Sequence, residues 1–383
     1  MSRSAGTERR PVDRRTALLP AGKLPVALLR RFLSSLASGA RSTKQGLLVG
    51  PGVGLDAAAL DLGGRRLLVL KTDPITFLSQ DLGAYGLTIN ANDLATMGAT
   101  PRWFLATLLL PAGATTKGQA MGLLAQVRRA CQRLDVTLCG GHTEITEAVT
   151  RPVLIGCLLG LCPAGRLVTT AGARVGDALV LTKGIPIEAV SVLARTRAAD
   201  LRLRHSARFV ARCRRFLDDP GIGVMREARL ALACGGVHAM HDPTEGGLSG
   251  ALYELAEAAG VGLRIDETAV PILPEGARLC ADLGLHPWGA LASGSLLICA
   301  DPSREAAIRS RLHRAGIAAA RIGTVVPAQQ GVRLATEGRR SRPVPRFAVD
   351  EVARLLSRRG GSAPVRWQLR RGSEDNEWLD RFE

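Results

Sequence analysis

The chain has 383 residues, 46% hydrophobic and 22% charged, enough for two or three domains and too apolar for a disordered polymer. Its formal net charge is +17, of which the segments 1–20, 195–215 and 336–383 carry +3, +7 and +3, so the rest is nearly balanced. With 7 Phe, 4 Trp and 2 Tyr, none interleaved with the basic runs, the composition argues against a specific nucleic-acid surface.

In chain order, residues 1–20 read as a basic tail without the apolar centre of a secretory signal. Leu67–Lys71 reads as a strand, and Gly83–Met97 as a helix closed by Gly98 and Pro101. Phe104–Leu110 is a predicted strand, Gly118–Leu134 a helix, and Val136–Cys139 and Val153–Leu161 are strands. The apolar run 152–162 is too short for a membrane span and carries two glycines. A polar turn at about 165–175 separates a second mixed segment, which opens with a strand at Ala178–Thr182. A helix near 203–217 places Arg204, Arg208, Arg212 and Arg215 on one face, opposite Phe209, Cys213, Phe216 and Leu217. That face reads as solvated, with an acidic partner as the other use. A further helix is expected from Asp242 as N-cap, with Pro243 at its first position, to Gly260; Leu291–Cys299 is a later strand. Residues 336–383 form an Arg-rich tail. The organisation predicted is a tail at 1–20, domains at 21–168 and 169–335, and a tail at 336–383, in a mixed α/β (α+β) chain expected to be cytoplasmic. Eight cysteines without a CxxC pair read as reduced thiols.

Chemistry is suggested by carboxylates set in apolar surroundings. Asp56 follows the glycine loop 50–54, Asp73 ends the run LLVLKTD, and Asn92 and Asp93 lie inside a mainly apolar helix. Leu87, Ala91 and Leu94 would form that helix's core stripe, with Asn90 and Asp93 on another face. Glu144 follows Gly140 and Gly141. Buried carboxylates are costly unless paired or metal-bound, and several converging would suit Mg²⁺, which prefers oxygen ligands. Nearby glycines let backbone approach a phosphate. The stretch His238 to Gly247 admits three readings: a capped helix start, a phosphate or Mg²⁺ site, and zinc.

Five motifs in order, GVGLDAA (52–58), KTDPITF (71–77), NANDLATMGATP (90–101), GGHTEIT (140–146) and HDPTEGGL (241–248), resemble the aminoimidazole-ribonucleotide (AIR) synthetase superfamily. The resemblance runs from about Lys23 to Val326 and is strongest to the HypE-like branch. It implies a two-domain fold, a homodimer in which N-terminal sheets pair into a barrel, and ATP with Mg²⁺ as cofactors. Carried over by position, Asp56, Asp73, Asp93 and Asp242 would hold the metal, with Asp73, Asp93 and Asp242 acting in catalysis. Gly52, Gly54, Asp56, Lys71, Thr72, Asn92, Gly140, Gly141, Glu144 and Glu245 would line the nucleotide cleft. The implied reaction is phosphoryl transfer to a small molecule or a carboxamide-type oxygen, with a maturation protein as a possible partner.

Four departures bear on the acceptor. His142 and Glu245 stand where HypE typically has Asp and Arg, Leu55 replaces a common acidic residue, and no Cys lies beyond Cys299. Cyanide donation from a C-terminal thiol is therefore not expected. A thiamine-monophosphate-kinase-like enzyme and a non-catalytic docking protein are the alternative readings.

Overall fold

The alternating apolar runs of the first half assemble into one sheet. The computed structural model describes residues 19, 23–38, 46–76, 78, 80–335 and 340–357; the predicted tail at 1–20 and the tail beyond 357 fall almost wholly outside them, as does Phe77. Strands β1 (Leu47–Val49), β2 (Ala58–Leu60), β3 (Arg66–Ile75), β4 (Thr100–Pro111), β5 (Thr137–Thr146) and β6 (Val153–Pro163) lie in the order β1-β2-β3-β6-β4-β5. Among these described strands, β4 and β5 alone run parallel. Along β6, Leu154, Leu158 and Cys162 recur on one buried face, the two-residue period of a half-covered strand. Removing one of these leucine side chains would cost about 2–5 kcal/mol.

Helices α2 (Leu82–Thr96) and α3 (Lys117–Arg133) belong to this half, after α1 (Val26–Ser38). The single core stripe expected on α2 is a correction: nearly all of α2 is buried, its polar residues Asn90, Asn92 and Asp93 included. It touches the first sheet and α3 on one side and the second half on the other, so no face is left for water. Strand β5 is also longer than predicted and carries Gly140, Gly141 and Glu144 within it. It forms the sheet's edge and is exposed almost throughout.

The second half contains α4 (Ile187–Thr196), α5 (Ala198–Arg202), α6 (Ala207–Arg214), α7 (Met225–Leu232), α8 (Gly247–Ala259), α9 (Pro274–Leu283), α10 (Pro302–Arg314) and α11 (Glu351–Ser357). Its sheet comprises β7 (Ala178–Thr182), β8 (Val237–His241), β9 (Gly262–Ile265), β10 (Leu297–Ala300), β11 (Ala319–Val326), β12 (Val332–Leu334) and β13 (Arg342–Pro343). Their order is β13-β12-β9-β11-β7-β10-β8. Leu248, Leu252 and Leu255 of α8 cover one face; α7 and α10 cover the other.

Four local expectations change here. Asp242 and Pro243 do not start a helix: α8 begins at Gly247, after Gly246 at φ 90, so Asp242 is not the N-cap. The cap is supplied from far along the chain, where Asp350 accepts from the Gly246 N–H at 2.9 Å. The strand expected at Leu291–Cys299 is confined to Leu297–Ala300, preceded by a short 3₁₀ turn at Pro287–Gly289. The basic helix divides into α6 and a 3₁₀ turn, Arg215–Leu217, although Arg204, Arg208, Arg212 and Arg215 remain exposed opposite buried Cys213, Phe216 and Leu217. Finally, 340–357 is ordered: Val344 and Val352 are buried, and Asp350 also caps α11 through Val352 N–H at 2.8 Å.

Candidate active site

The two halves meet where α2, the glycine loop before β2, and the end of β8 converge. Gly54 has φ +74, and a Cβ there would lie 2.5 Å from the Glu254 carbonyl oxygen, so only glycine lets the loop seat on α8. The loop brings Asp56 to His241, with Oδ1 2.8 Å from Nδ1. Asp56, His241 and Asp242 form a buried group whose ligand atoms lie within 4.8 Å of one another.

His241 faces a carboxylate at each ring nitrogen, Asp56 at ion-pair distance from Nδ1 and Glu254 Oε2 hydrogen-bonded to Nε2 at 3.0 Å. Burial opposes its charge, yet Asp56 and Glu254 hold the imidazolium well above its ordinary range. Glu254 in turn meets Lys23 Nζ at 3.5 Å, and against its burial Lys23 and His241 depress its carboxyl to about 2. The result is an alternating row, Asp56, His241, Glu254 and Lys23. A histidine so committed is a poor zinc ligand, which leaves oxygen donors at this point.

Asp242 is different. It is 1% exposed, and neither side-chain oxygen has a hydrogen-bond partner among the described residues. Burial first, then Asp56, push its carboxyl up to about 7, against His241 and Lys71. Asp93, 3% exposed, is also pushed up by burial and by its acidic neighbours, with Lys71 opposing. Lys71 Nζ lies 3.1 Å from Asp93 and 3.6 Å from Asp73. Although burial works against the ammonium, Asp93, Asp73 and Asp56 together keep it above its ordinary range. Four aspartates thus face one lysine and one histidine, an excess of negative charge that a divalent cation would offset. The orphaned oxygens of Asp242 and the all-carboxylate donor set fit Mg²⁺.

The remaining predicted residues take several positions. Thr72 Oγ1 donates across to the Gly156 carbonyl at 2.8 Å, and Gly52 packs against Leu55. Asn92 uses its whole amide as a staple, donating to Ile222 O at 2.8 Å and accepting from Val224 N–H at 2.9 Å. Glu245 accepts from the backbone N–H of Lys23 at 2.8 Å. Gly140, Gly141 and Glu144 do not join the aspartates within the chain. Asp73 pairs with Gly156, Gly156 with Ala106, and Ala106 with Gly141, placing Gly141 three strands away, about 14 Å. Gly141 has φ +144, and a Cβ there would lie 1.9 Å from Ala106 O.

Beside the aspartates opens a cleft of about 100 Å³ lined by both halves, including Asp73, Tyr85, Glu188, Glu245 and Ser293. Burial pushes Glu188 up to about 7, with Ser293 acting against it. Sequence reading missed Lys23, Glu254, Glu188 and Ser293, since their roles arise from contacts across long chain separations.

Comparison with known proteins is consistent with this geometry. Residues 54–162 match the AIR synthase related protein, N-terminal domain, and residues 174–335 the C-terminal domain. The chain is 31% identical over 282 residues to carbamoyl dehydratase HypE of Cupriavidus necator, covering 71% of this chain and 77% of that protein. A crystal structure of HypE in complex with ATP has a TM-score of 0.63 at 24% identity, covering 84% of this chain and 96% of that one. A HypE–HypF complex gives 0.66 at 20% identity, covering 84% and 100%. At those identities the two structures speak to the fold. No helix among the described residues is long and apolar enough to cross a membrane.

Proposed function

This chain belongs to the AIR synthase related family, and from that premise we propose that it is a HypE-like, ATP-dependent enzyme. It would transfer the terminal phosphoryl group of ATP to an oxygen of a small molecule or of a carboxamide, in a role related to hydrogenase maturation. Similarity to carbamoyl dehydratase HypE supports the reaction class. The observation that carries the reading is the convergence of Asp56, Asp73, Asp93 and Asp242 around Lys71, with the Asp242 oxygens buried and unpartnered.

Asp56, Asp73, Asp93 and Asp242 would hold Mg²⁺. When bound, the metal supplies charge neutralisation on phosphate oxygens. Lys71 keeps its charge and, fixed between Asp93 and Asp73, orients both carboxylates and presents a cation beside the phosphates. Asp56 is held in place by His241, itself braced by Glu254. The glycine loop at Gly52 and Gly54 offers backbone at this point, and Thr72 and Asn92 fix the strand and seam around it. Burial of Asp56, Asp93 and Asp242 keeps bulk water from screening their charges, while Asp73 stands at the more open side of the group.

The exposed edge strand β5 fits a homodimer in which a second copy covers it and Gly140, Gly141 and Glu144 reach the partner's nucleotide cleft. The HypE–HypF complex suggests a maturation-protein partner. The exposed arginines of α6 offer such a partner a basic face.

Phosphorus NMR of the protein with Mg·ATP and carbamoyl compounds tests the reading. ADP appearing with phosphate, or with a phosphorylated acceptor, only when the acceptor is present is the expected result. ATP unchanged across carboxamide and phosphate-bearing acceptors alike would contradict it.

A further inference from the structure

The arginines exposed on and around α6 mostly lack a counter-charge. Arg208 and Arg215 are exposed, and neither meets a carboxylate among the described residues. Arg204 donates to the Asp282 carbonyl at 2.9 Å, and Arg212 meets Glu275 at 2.6 Å. Arg278 of α9 joins them, because its guanidinium and that of Arg212 each lie 5.5 Å from the centroid of the Phe209 ring. Beside this cluster Leu203 is 86% exposed, more than any other large hydrophobic side chain among the described residues. Arg208 and Arg212, four apart on one helix, repel each other. Such a face suits an acidic segment that also carries apolar residues.

The sequence contains such a segment. Residues 373–383, SEDNEWLDRFE, carry Glu374, Asp375, Glu377, Asp380 and Glu383 against Arg381, a net charge of −4, with Trp378, Leu379 and Phe382 among them. No other window of eleven residues in the sequence is as acidic. The arginine face is within its reach. Arg354 of α11 donates to the Gly284 carbonyl at 2.9 Å, and Gly284 closes α9 two residues after Asp282. Asp282 in turn holds Arg204 and lies 2.7 Å from His205. Helix α11 therefore ends, at Ser357, close to the arginines, and residues 358–372 can span up to about 50 Å.

We propose that residues 373–383 dock on the face formed by Arg204, Arg208, Arg215 and Arg278 of the same chain. Their carboxylates pair with the guanidinium groups, and their aromatic side chains cover Leu203. Exposed ion pairs are individually weak, but a segment tethered to the face it binds has a high effective concentration there, so several hold together. This docking is independent of the phosphoryl-transfer reading. A maturation partner that uses the same basic face would have to displace the segment.

Arginine footprinting with phenylglyoxal, read by mass spectrometry on the full chain, tests the docking. Neutralising the segment with Glu374→Gln, Asp375→Asn, Glu377→Gln and Asp380→Asn together should make Arg208, Arg215 and Arg278 react at least about threefold faster. Arg311, exposed on α10, should keep its rate. Arg208→Glu with Arg215→Glu should uncover Arg278 to the same degree, and adding Glu377→Arg with Asp380→Arg should shield it again. The thermal midpoint reports that each variant is folded, and the wild-type rates should hold on dilution. Equal rates in the wild-type and neutralised chains, or a charge swap that restores no shielding, would overturn the assignment. So would shielding lost on dilution, which would place the segment on a second copy.

Discussion

Two buried lysines at the seam between the halves have opposite surroundings. Lys183 lies 2.7 Å from Glu227 and donates to the carbonyls of Gly221 and Gly223 at 3.0 and 2.7 Å. Charge is matched one to one, the remaining donors are used, and burial lowers its pKa despite Glu227. Lys71 faces Asp93 and Asp73 with Asp56 nearby, and its pKa moves up instead. A balanced buried pair has little left to offer a ligand, whereas an unbalanced one retains negative charge that folding alone does not satisfy. The contrast separates a structural clamp from a candidate site more sharply than burial does, since both lysines are largely enclosed.

Asp93→Asn should break the unbalanced region most severely. Mg·ATP turnover should fall about 10³-fold, on the scale of losing a positioned electrostatic group, while the circular dichroism spectrum stays native. Retained turnover would remove Asp93 from the site.

The balanced region should respond in stability instead. Lys183→Met strands Glu227 and frees the 221–223 loop, at a cost of about 3–5 kcal/mol, the range for breaking a buried pair. The thermal midpoint should drop by about 10 °C while turnover per folded molecule stays within about threefold. A native midpoint with abolished turnover would reverse the roles given to the two lysines.

A subtler test exploits the sign of the Asp242 environment. Its carboxylate is buried without hydrogen bonds, so Asp242→Asn should raise the metal-free midpoint by about 2–4 °C and abolish the further rise caused by Mg·ATP. Differential scanning fluorimetry with and without chelator reads both effects; a lower metal-free midpoint would mean that the charge is compensated.

The smallest effect concerns acid. Glu254 is held at about 2 against an ordinary 4.5. A depressed carboxylate stabilises the fold above its unfolded pKa, and that contribution is lost as pH falls from about 4.5 toward 2. Glu254→Gln should therefore flatten the loss of thermal midpoint over that window. An unchanged slope would detach Glu254 from the row linking Lys23 to Asp56.

Much of the first half was readable because its signals are local. The run ending at Asp73 and the apolar helix around Asp93 carry their periodicity within a few residues, and β3 and α2 follow it. Asp242 was misread for an equally local reason. Asp-Pro mimics a helix start, whereas the positive φ of Gly246 and Gly247 delays α8 and leaves the carboxylate free. Asn92 and Asp93 are adjacent on one helix, yet one staples the 222–224 backbone and the other faces Lys71. No spacing rule separates them, because the partner loop lies more than a hundred residues away. Glu188 and Ser293 were invisible for the same reason.

Isothermal titration of a non-hydrolysable ATP analogue, with Mg²⁺ and with chelator, tests the central claim most directly. Mg²⁺-dependent binding is the expected result, lost in Asp93→Asn and retained in Glu227→Gln. Binding that ignores the metal, or that fails in Glu227→Gln while surviving in Asp93→Asn, would contradict it.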